Sequence, residues 1–400
     1  MLKGNAIIGQ SGGPTSVINA SLVGVVQAAD GCGSIDSVFG MRYGIEGLLE
    51  ENIIDLGSET RDNLQRIKHT PSSALGSCRL KLQDDHLPKV LEILKKNNVR
   101  FLFLIGGNDT MDTIHRVEAY AQANNYPLVG IGIAKTVDND LFGTDHTPGF
   151  ASAARYMALS VQQAGILARD MQRVDQFVIF QCIGRAAGWL VGATAAGKSA
   201  ASDAPHLMCF PERPFDRSTF IADVRRCHEE YGFVSIVCGE GITYADGRPV
   251  SASETLDKFG NVEFGAMGGT SAAMALHRII SAEFGFRGEF QVTESLPMCA
   301  ADRVVQRDID EAYTCGQKAV EFAAQGLSGV MVAMQRAASK EYRCEFIAVP
   351  LAEVAVRAKP MPDEYINAAG NFVTDAFLDY LRPLIGEMPT YAQLAGLPVK

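Results

Sequence analysis

The sequence predicts an α/β fold: two doubly wound, Rossmann-like domains, each with a mainly parallel sheet, facing one another across a cleft. Three observations carry this. The chain has 400 residues, more than one hydrophobic core usually supports. Short apolar runs alternate with helical periods along most of it. Each run ends in glycine and polar residues, and the carboxyl ends of parallel strands are where such sheets bind ligands.

The elements follow in order. "NAIIG" (5–9) reads as a strand that turns through "QSGGPTS" into helical "VINASLVGVVQAA". "RFLFLI" (100–105) turns through "GGNDT" into "MDTIHRVEAYA", where Ile114, Val117 and Ala121 recur at helical spacing. "YPLVGIGI" (126–133) leads to "AKTVDND", "DQFVIFQC" (175–182) to "IGR" and "AAGWLVGATAAGKSA", and "FVSIVC" (233–238) to "GEG". The predicted division is 1–145 for an N-terminal, phosphate-donor domain and 146–400 for an acceptor domain. Part of about 255–305 is expected to return to the first.

Composition narrows the partners. The chain is 47% hydrophobic and 20% charged, ordinary globular values. Its formal charge of -10 repels nucleic acid and anionic membranes, so neither is expected as a partner. The longest apolar runs, such as "FLFLI", are too short to span a bilayer. Nine cysteines with no C-x-x-C pair point to reduced thiols, and a soluble cytoplasmic protein is expected. The histidines lack metal spacing, and no G-x-S-x-G elbow supports a hydrolase triad.

The strand-end clusters carry the chemistry. "SGGPTSVINA" (11–20) is a glycine turn feeding a helix, an anion site in which Gly12 lets backbone approach a phosphate. "IGGNDTMDT" (105–113) places Asn108 and Asp109 beyond a strand, oxygen donors suited to Mg²⁺. In "AKTVDND" (134–140), Lys135, a hydroxyl and two carboxylates fall within six residues. One acid to accept a hydroxyl proton and a cation to offset phosphoryl charge is what phosphoryl transfer needs. Arg185 in "IGRAAGW", Glu240 in "CGEG" and Arg79 in "LGSCR" offer an oxyanion partner, a sugar-hydroxyl acceptor and a further cation. Taken singly, each also reads as a turn, a helix cap or a surface residue.

"GATAAGKS" (192–199) matches the P-loop pattern letter for letter. Its context does not: the preceding strand ends at 182, and the motif falls where a helix closes. Gly197 and Lys198 there are ordinary stop signals.

Taken together and in order, G-G-P (12–14), G-S-C-R (76–79), G-G-N-D (106–109), K-T-V-D-N-D (135–140), I-G-R (183–185) and G-E-G (239–241) resemble the phosphofructokinase family. A weaker match continues through Arg287, "DIDEAYTCGQKAVEFA" and "AKPMPDEYINAAGNFVTDAF". The resemblance implies Mg-dependent transfer of a phosphoryl group to the 1-hydroxyl of fructose 6-phosphate, by a homodimer or homotetramer. Asp138 would be the base. With a reference pKa of about 3.9, it is expected to be ionised and weakly basic. Thr136 and Arg185 would steady the moving group, and Gly12, Arg79 and Lys135 would hold the donor. Ile183, Gly184, Arg185, Glu240 and Arg287 would bind the acceptor with Thr136 and Asp138, and Asn108 the metal. Asp109 and Lys135 stand where ATP-using members carry glycine. The resemblance therefore implies inorganic diphosphate as donor, in a reversible reaction of glycolysis and gluconeogenesis.

Departures leave a second reading open. Asn108 stands where many members have Asp, Gln176 where an Arg is common, and Ile183 where Met is usual. The family's Q-R pair after Arg287 is missing; Thr293, Leu296, Pro297 and Met298 occupy that stretch. A diphosphate-dependent kinase of another sugar phosphate or a polyol fits the same donor half.

Overall fold

The computed structural model describes residues 2–251, 270–339 and 341–394. The strands are β1 (Gly4–Gln10), β2 (Ile35–Met41), β3 (Ile53–Asp55), β4 (Val99–Gly106), β5 (Val129–Ala134), β6 (Phe177–Cys182), β7 (Leu207–Cys209), β8 (Val234–Gly239), β9 (Gly288–Val292), β10 (Val330–Arg336) and β11 (Cys344–Pro350). They form two sheets, ordered β11-β10-β5-β4-β1-β2-β3 and β7-β8-β6-β9. The second is wholly parallel. The first is parallel except at its two edges, where β3 and β11 run antiparallel to their neighbours. Two packed α/β layers thus follow from the apolar runs, as the sequence predicts.

The central strands are buried on both faces, which is why they read as continuous apolar runs rather than alternating ones. Ile7, Leu102 and Leu104 face Met111 and Ile114 on one side of the first sheet. Ile8 and Phe103 face Leu22, Cys315 and Ala319 on the other. In the second sheet Phe180 and Val237 pack with Phe150, Trp189 and Phe377, and Ile179 and Ile236 with Val224 and Leu276. No helix among the described residues is long and apolar enough to cross a membrane.

The sheets divide the chain differently from the expected 1–145 and 146–400. Among the described residues the segment that returns to the first sheet is 306–354: β9, within the expected return of about 255–305, pairs with β6 in the second sheet, while β10 inserts beside β5. Residues 255–269 of the expected return lie outside the described residues. What brings the chain back is a close helix crossing. Helix Gln306–Ala324 lies on helix Ile18–Asp30, backbone against backbone. A Cβ on Gly24 would stand 2.1 Å from the Tyr313 carbonyl oxygen, and one on Gly316 2.1 Å from that of Ser21. The two glycines permit the approach and the burial of β10 beneath it.

Helix Asp375–Ile385 belongs with the second core through Phe377 and Leu381. Its last carbonyls are held by three arginines from elsewhere: Arg336 on Tyr380, Arg307 on Pro383 and Arg155 on Ile385. Cations at a helix C-terminus answer both its unpaired carbonyls and its dipole.

Candidate active site

A cleft of about 570 Å³ opens between the carboxyl ends of the two sheets, within the range of small-molecule sites. Its walls are the turns after β1, β4, β5, β6, β8 and β9. In the first sheet β1 lies between β4 and β2, so the chain reverses its winding direction there. The turns after β1 and β4 therefore flank a topological switch point.

One half of the cleft is built from the first sheet. Gly12 has φ +75°, a left-handed turn that glycine adopts without strain. Its N–H donates to the Cys78 carbonyl at 3.2 Å, and its carbonyl accepts from Ser77 Oγ at 2.5 Å. These bonds bring Arg79 to the same wall. Lys135 is buried, and its Nζ donates to the Gly13 carbonyl at 2.6 Å, closing the cleft between the turns after β5 and β1. Helix Asn108–Ala123 starts at the wall, so its first-turn N–H groups and dipole favour an anion there. Asp109 stands exposed at its mouth.

A loop rich in polar residues follows β5. Thr136 Oγ1 accepts from the Asp138 N–H at 3.1 Å, and the Thr136 carbonyl accepts from Thr147 Oγ1 at 2.6 Å. Asp138 and Asp140 both line the cleft. Burial lifts the Asp138 carboxyl to about 7; Asp140 and Glu240 add to this, while Arg185 and Lys135 oppose it. The expectation of an ordinary aspartate is corrected accordingly: burial first, with the neighbouring carboxylates adding to it, brings this carboxyl close to neutral pH. Burial lowers Lys135 to about 8, against the pull of Asp138 and Asp140.

The other half comes from the second sheet. Glu240 Oε1 accepts from the N–H groups of Gly184 at 3.1 Å and Arg185 at 2.9 Å. This fastens the loop after β6 to the turn after β8 and holds Arg185 at φ +46°, a conformation a side chain rarely adopts. Burial raises the Glu240 carboxyl even against these two bonds. Ile183 and Gly184 complete that wall.

The structure thus gathers Gly12, Arg79, Asn108, Asp109, Lys135, Thr136, Asp138, Ile183, Gly184, Arg185 and Glu240 around one cleft. It does not bring Arg287 there. Arg287 precedes β9 and so sits at the opposite end of a parallel sheet from the cleft. It is exposed, and its Nε pairs with Asp175 at 2.9 Å. Sequence reasoning missed Lys81, Glu294 and Ser295, which also line the cleft. Lys81 was legible, since it is two residues from Arg79 in extended chain and shares its side. Glu294 and Ser295 follow β9, whose "GEFQV" lacks the apolar run that marks a strand. Met298 lies in the same wall, against Gly13.

The donor chemistry fits a hard cation. Among the described cleft residues the cations are Arg79, Lys81, Lys135 and Arg185, and the acids Asp109, Asp138, Asp140, Glu240 and Glu294. Oxygen donors suit Mg²⁺, while among the described residues no three His, Cys, Asp or Glu side chains stand together as a metal cluster. Asn108 uses its amide nitrogen on the carbonyls of Val354 and Arg357, at 2.9 and 2.7 Å, which leaves Oδ1 as its donor toward a cation.

Two measurable consequences follow. The pH profile of kcat/KM should be a bell. Below about 7 the Asp138 carboxyl is protonated and takes no proton, and above about 8 Lys135 loses its charge. A flat profile from pH 6 to 9 would contradict both assignments. Lys198, by contrast, lies outside the cleft. "GATAAGKS" ends a helical stretch, Trp189–Ala193 continuing as the 3-10 turn Thr194–Gly197. Lys198 Nζ donates to the carbonyls of Ala201, Asp203 and Pro205. Lys198→Met should cost about 2 kcal/mol of stability in a denaturant titration and leave kcat unchanged.

Comparison with known proteins shows the family. A family model described as phosphofructokinase matches residues 5–323. The pyrophosphate–fructose 6-phosphate 1-phosphotransferase of Methylococcus capsulatus is 38% identical, covering 100% of this chain and 95% of its own. That of Rhodospirillum rubrum is 38% identical over 96% of this chain and 95% of its own. A crystal structure of pyrophosphate-dependent phosphofructokinase from Nitrosospira multiformis matches with a TM-score of 0.87 at 34% identity, covering 99% of this chain and 95% of that one.

Proposed function

This chain belongs to the phosphofructokinase family, and we propose that it transfers a phosphoryl group from inorganic diphosphate to the 1-hydroxyl of fructose 6-phosphate. The observation that carries the donor is that Lys135 and Asp109 both line the cleft. Lys135 spans the gap to the Gly12–Gly13 turn with its charge toward the donor site. Asp109 takes up room at the mouth that a nucleotide would need. Lys135, Arg79 and the Gly12 turn bind the diphosphate, with the start of helix Asn108–Ala123 adding its N–H groups.

Asp138 takes the proton from the 1-hydroxyl as its oxygen attacks phosphorus. Its raised carboxyl makes this transfer nearly balanced at neutral pH, which suits a reaction that runs in both directions. Arg185 and Thr136 face the group in flight, and Arg185 offsets its charge. Glu240, anchored through one oxygen, presents the other to sugar hydroxyls. Mg²⁺ would be held by Asn108 together with the cleft carboxylates, and would neutralise phosphate charge.

The enzyme acts as a cytoplasmic homodimer or homotetramer in glycolysis and gluconeogenesis. Nine free cysteines among the described residues fit a reducing compartment. A donor-by-acceptor grid with Mg²⁺ tests the reading. Diphosphate with fructose 6-phosphate should turn over and ATP should not. Turnover of a polyol with none of fructose 6-phosphate would overturn the acceptor.

A further inference from the structure

After helix Leu351–Val354 the chain leaves the first domain for the second as a strap, 354–361, laid behind the catalytic loop. Its outer side is bare: Val356 is 79% exposed. Its inner side is tied at every step. The carbonyls of Val354 and Arg357 accept both bonds from the Asn108 amide. Ala358 forms a β-bridge to Leu141, and the Lys359 N–H donates to the Asp140 carbonyl at 2.7 Å. Lys359 Nζ then donates three bonds into one loop: to Asn139 Oδ1 at 3.3 Å, the Thr144 carbonyl at 3.0 Å and the Asp145 carbonyl at 2.8 Å. The Trp189 ring lies 4.9 Å from the ammonium. Met361 N–H reaches Glu212 in the second domain at 2.9 Å.

Asn139 is the residue this arrangement serves. It is fully buried and has φ +57°, a left-handed conformation that asparagine adopts more readily than other side-chain-bearing residues. Its side chain faces Lys359 and the Tyr380 hydroxyl, 3.0 Å from Nδ2, whereas its neighbours Asp138 and Asp140 face the cleft. An inward Asn139 is what turns both carboxylates outward.

We propose that Lys359 is a positioning residue for phosphoryl transfer, holding Asn139 and the 144–145 carbonyls so that Asp138 and Asp140 are aimed at the substrates, while the same strap seats Asn108 at the donor turn. Lys359 touches no substrate. Its effect passes through the loop, and the inference rests on the phosphotransfer reading above.

The test compares two half-buried lysines that each donate to three acceptors. In the full-length protein, Lys359→Met should lower kcat about a hundredfold, since small misplacements of catalytic groups have effects of that order. KM for diphosphate and for fructose 6-phosphate should each move by less than about threefold. Lys198→Met supplies the purely structural comparison, with a similar loss of Tm and kcat intact. Tyr380→Phe, which removes the second support of Asn139 and the hydroxyl's own bond to the Asp145 carbonyl, should lower kcat about fivefold with KM unchanged. A Lys359→Met enzyme within about threefold of wild-type kcat at equal folded fraction overturns the proposal. If Lys359→Met does not fold, Tyr380→Phe decides, and an unchanged kcat there overturns it. A wild type that prefers another donor or acceptor in the grid overturns the functional reading instead, and the same kcat ratios are then taken with that pair.

Discussion

Asp138→Asn should lower kcat by about three orders of magnitude in both directions, with KM for either substrate little changed. The amide keeps the shape of the carboxyl and its place on the loop but accepts no proton. Nothing nearby replaces it. Asp140 lines the same cleft, but its carboxyl is also raised, by burial first, and it sits across the inward-turned Asn139. The substitution carries a second, opposite effect. Because the folded state raises the Asp138 carboxyl to about 7, ionising it above that pH is costlier in the folded protein than in the unfolded chain. Removing that charge should therefore raise Tm at pH 8 while activity collapses. Steady-state kinetics and a thermal melt on one preparation read both. A variant that keeps more than about a tenth of wild-type kcat removes Asp138 as the base.

The second large effect concerns the donor. Replacing Asp109 and Lys135 together by glycine should lower kcat/KM for diphosphate by two orders of magnitude or more, about 3 kcal/mol. The same variant should gain measurable turnover with ATP. Lys135 stands over the Gly12 turn, where a Cβ on Gly12 would lie 3.3 Å from Nζ, so its side chain fills that end of the cleft as well as charging it. Lys135→Gly alone should lose diphosphate without gaining ATP, since Asp109 still takes up the mouth. The measurement is kcat/KM for each donor at saturating acceptor. An unchanged preference for diphosphate in the double variant would show that the donor is read elsewhere.

Much of this site was legible because parallel sheets gather their strand ends. Gly12, Asn108, Lys135, Arg185 and Glu240 each follow an apolar run directly, and a local signal sufficed for each. Arg287 misled for the same reason: it precedes its strand, and which end of β9 faces the cleft depends on pairing with β6. The return of 306–354 was hidden because it rests on Gly24 and Gly316, nearly three hundred positions apart, meeting at one helix crossing. The strength of Asp138 as a base was hidden too. It comes from burial and from Glu240, about a hundred positions away, whereas the sequence shows only Lys135 and Asp140 beside it. Lys359 lies in the weakly matching stretch "AKPMPDEYINAAGNFVTDAF", which gives it no role; only the crossing of the strap behind the loop does.

The late return of β10 bears on how the protein is made. The first sheet has its neighbour for β5 only after residues 330–336 have been synthesised, by which time all four strands of the second sheet already exist. On the ribosome the second sheet is therefore free to assemble first, while β5 waits with an open edge of unpaired N–H and C=O groups. That interval is when the nascent chain is most exposed to pairing with another copy of itself, and it lengthens whenever translation slows between β9 and β10.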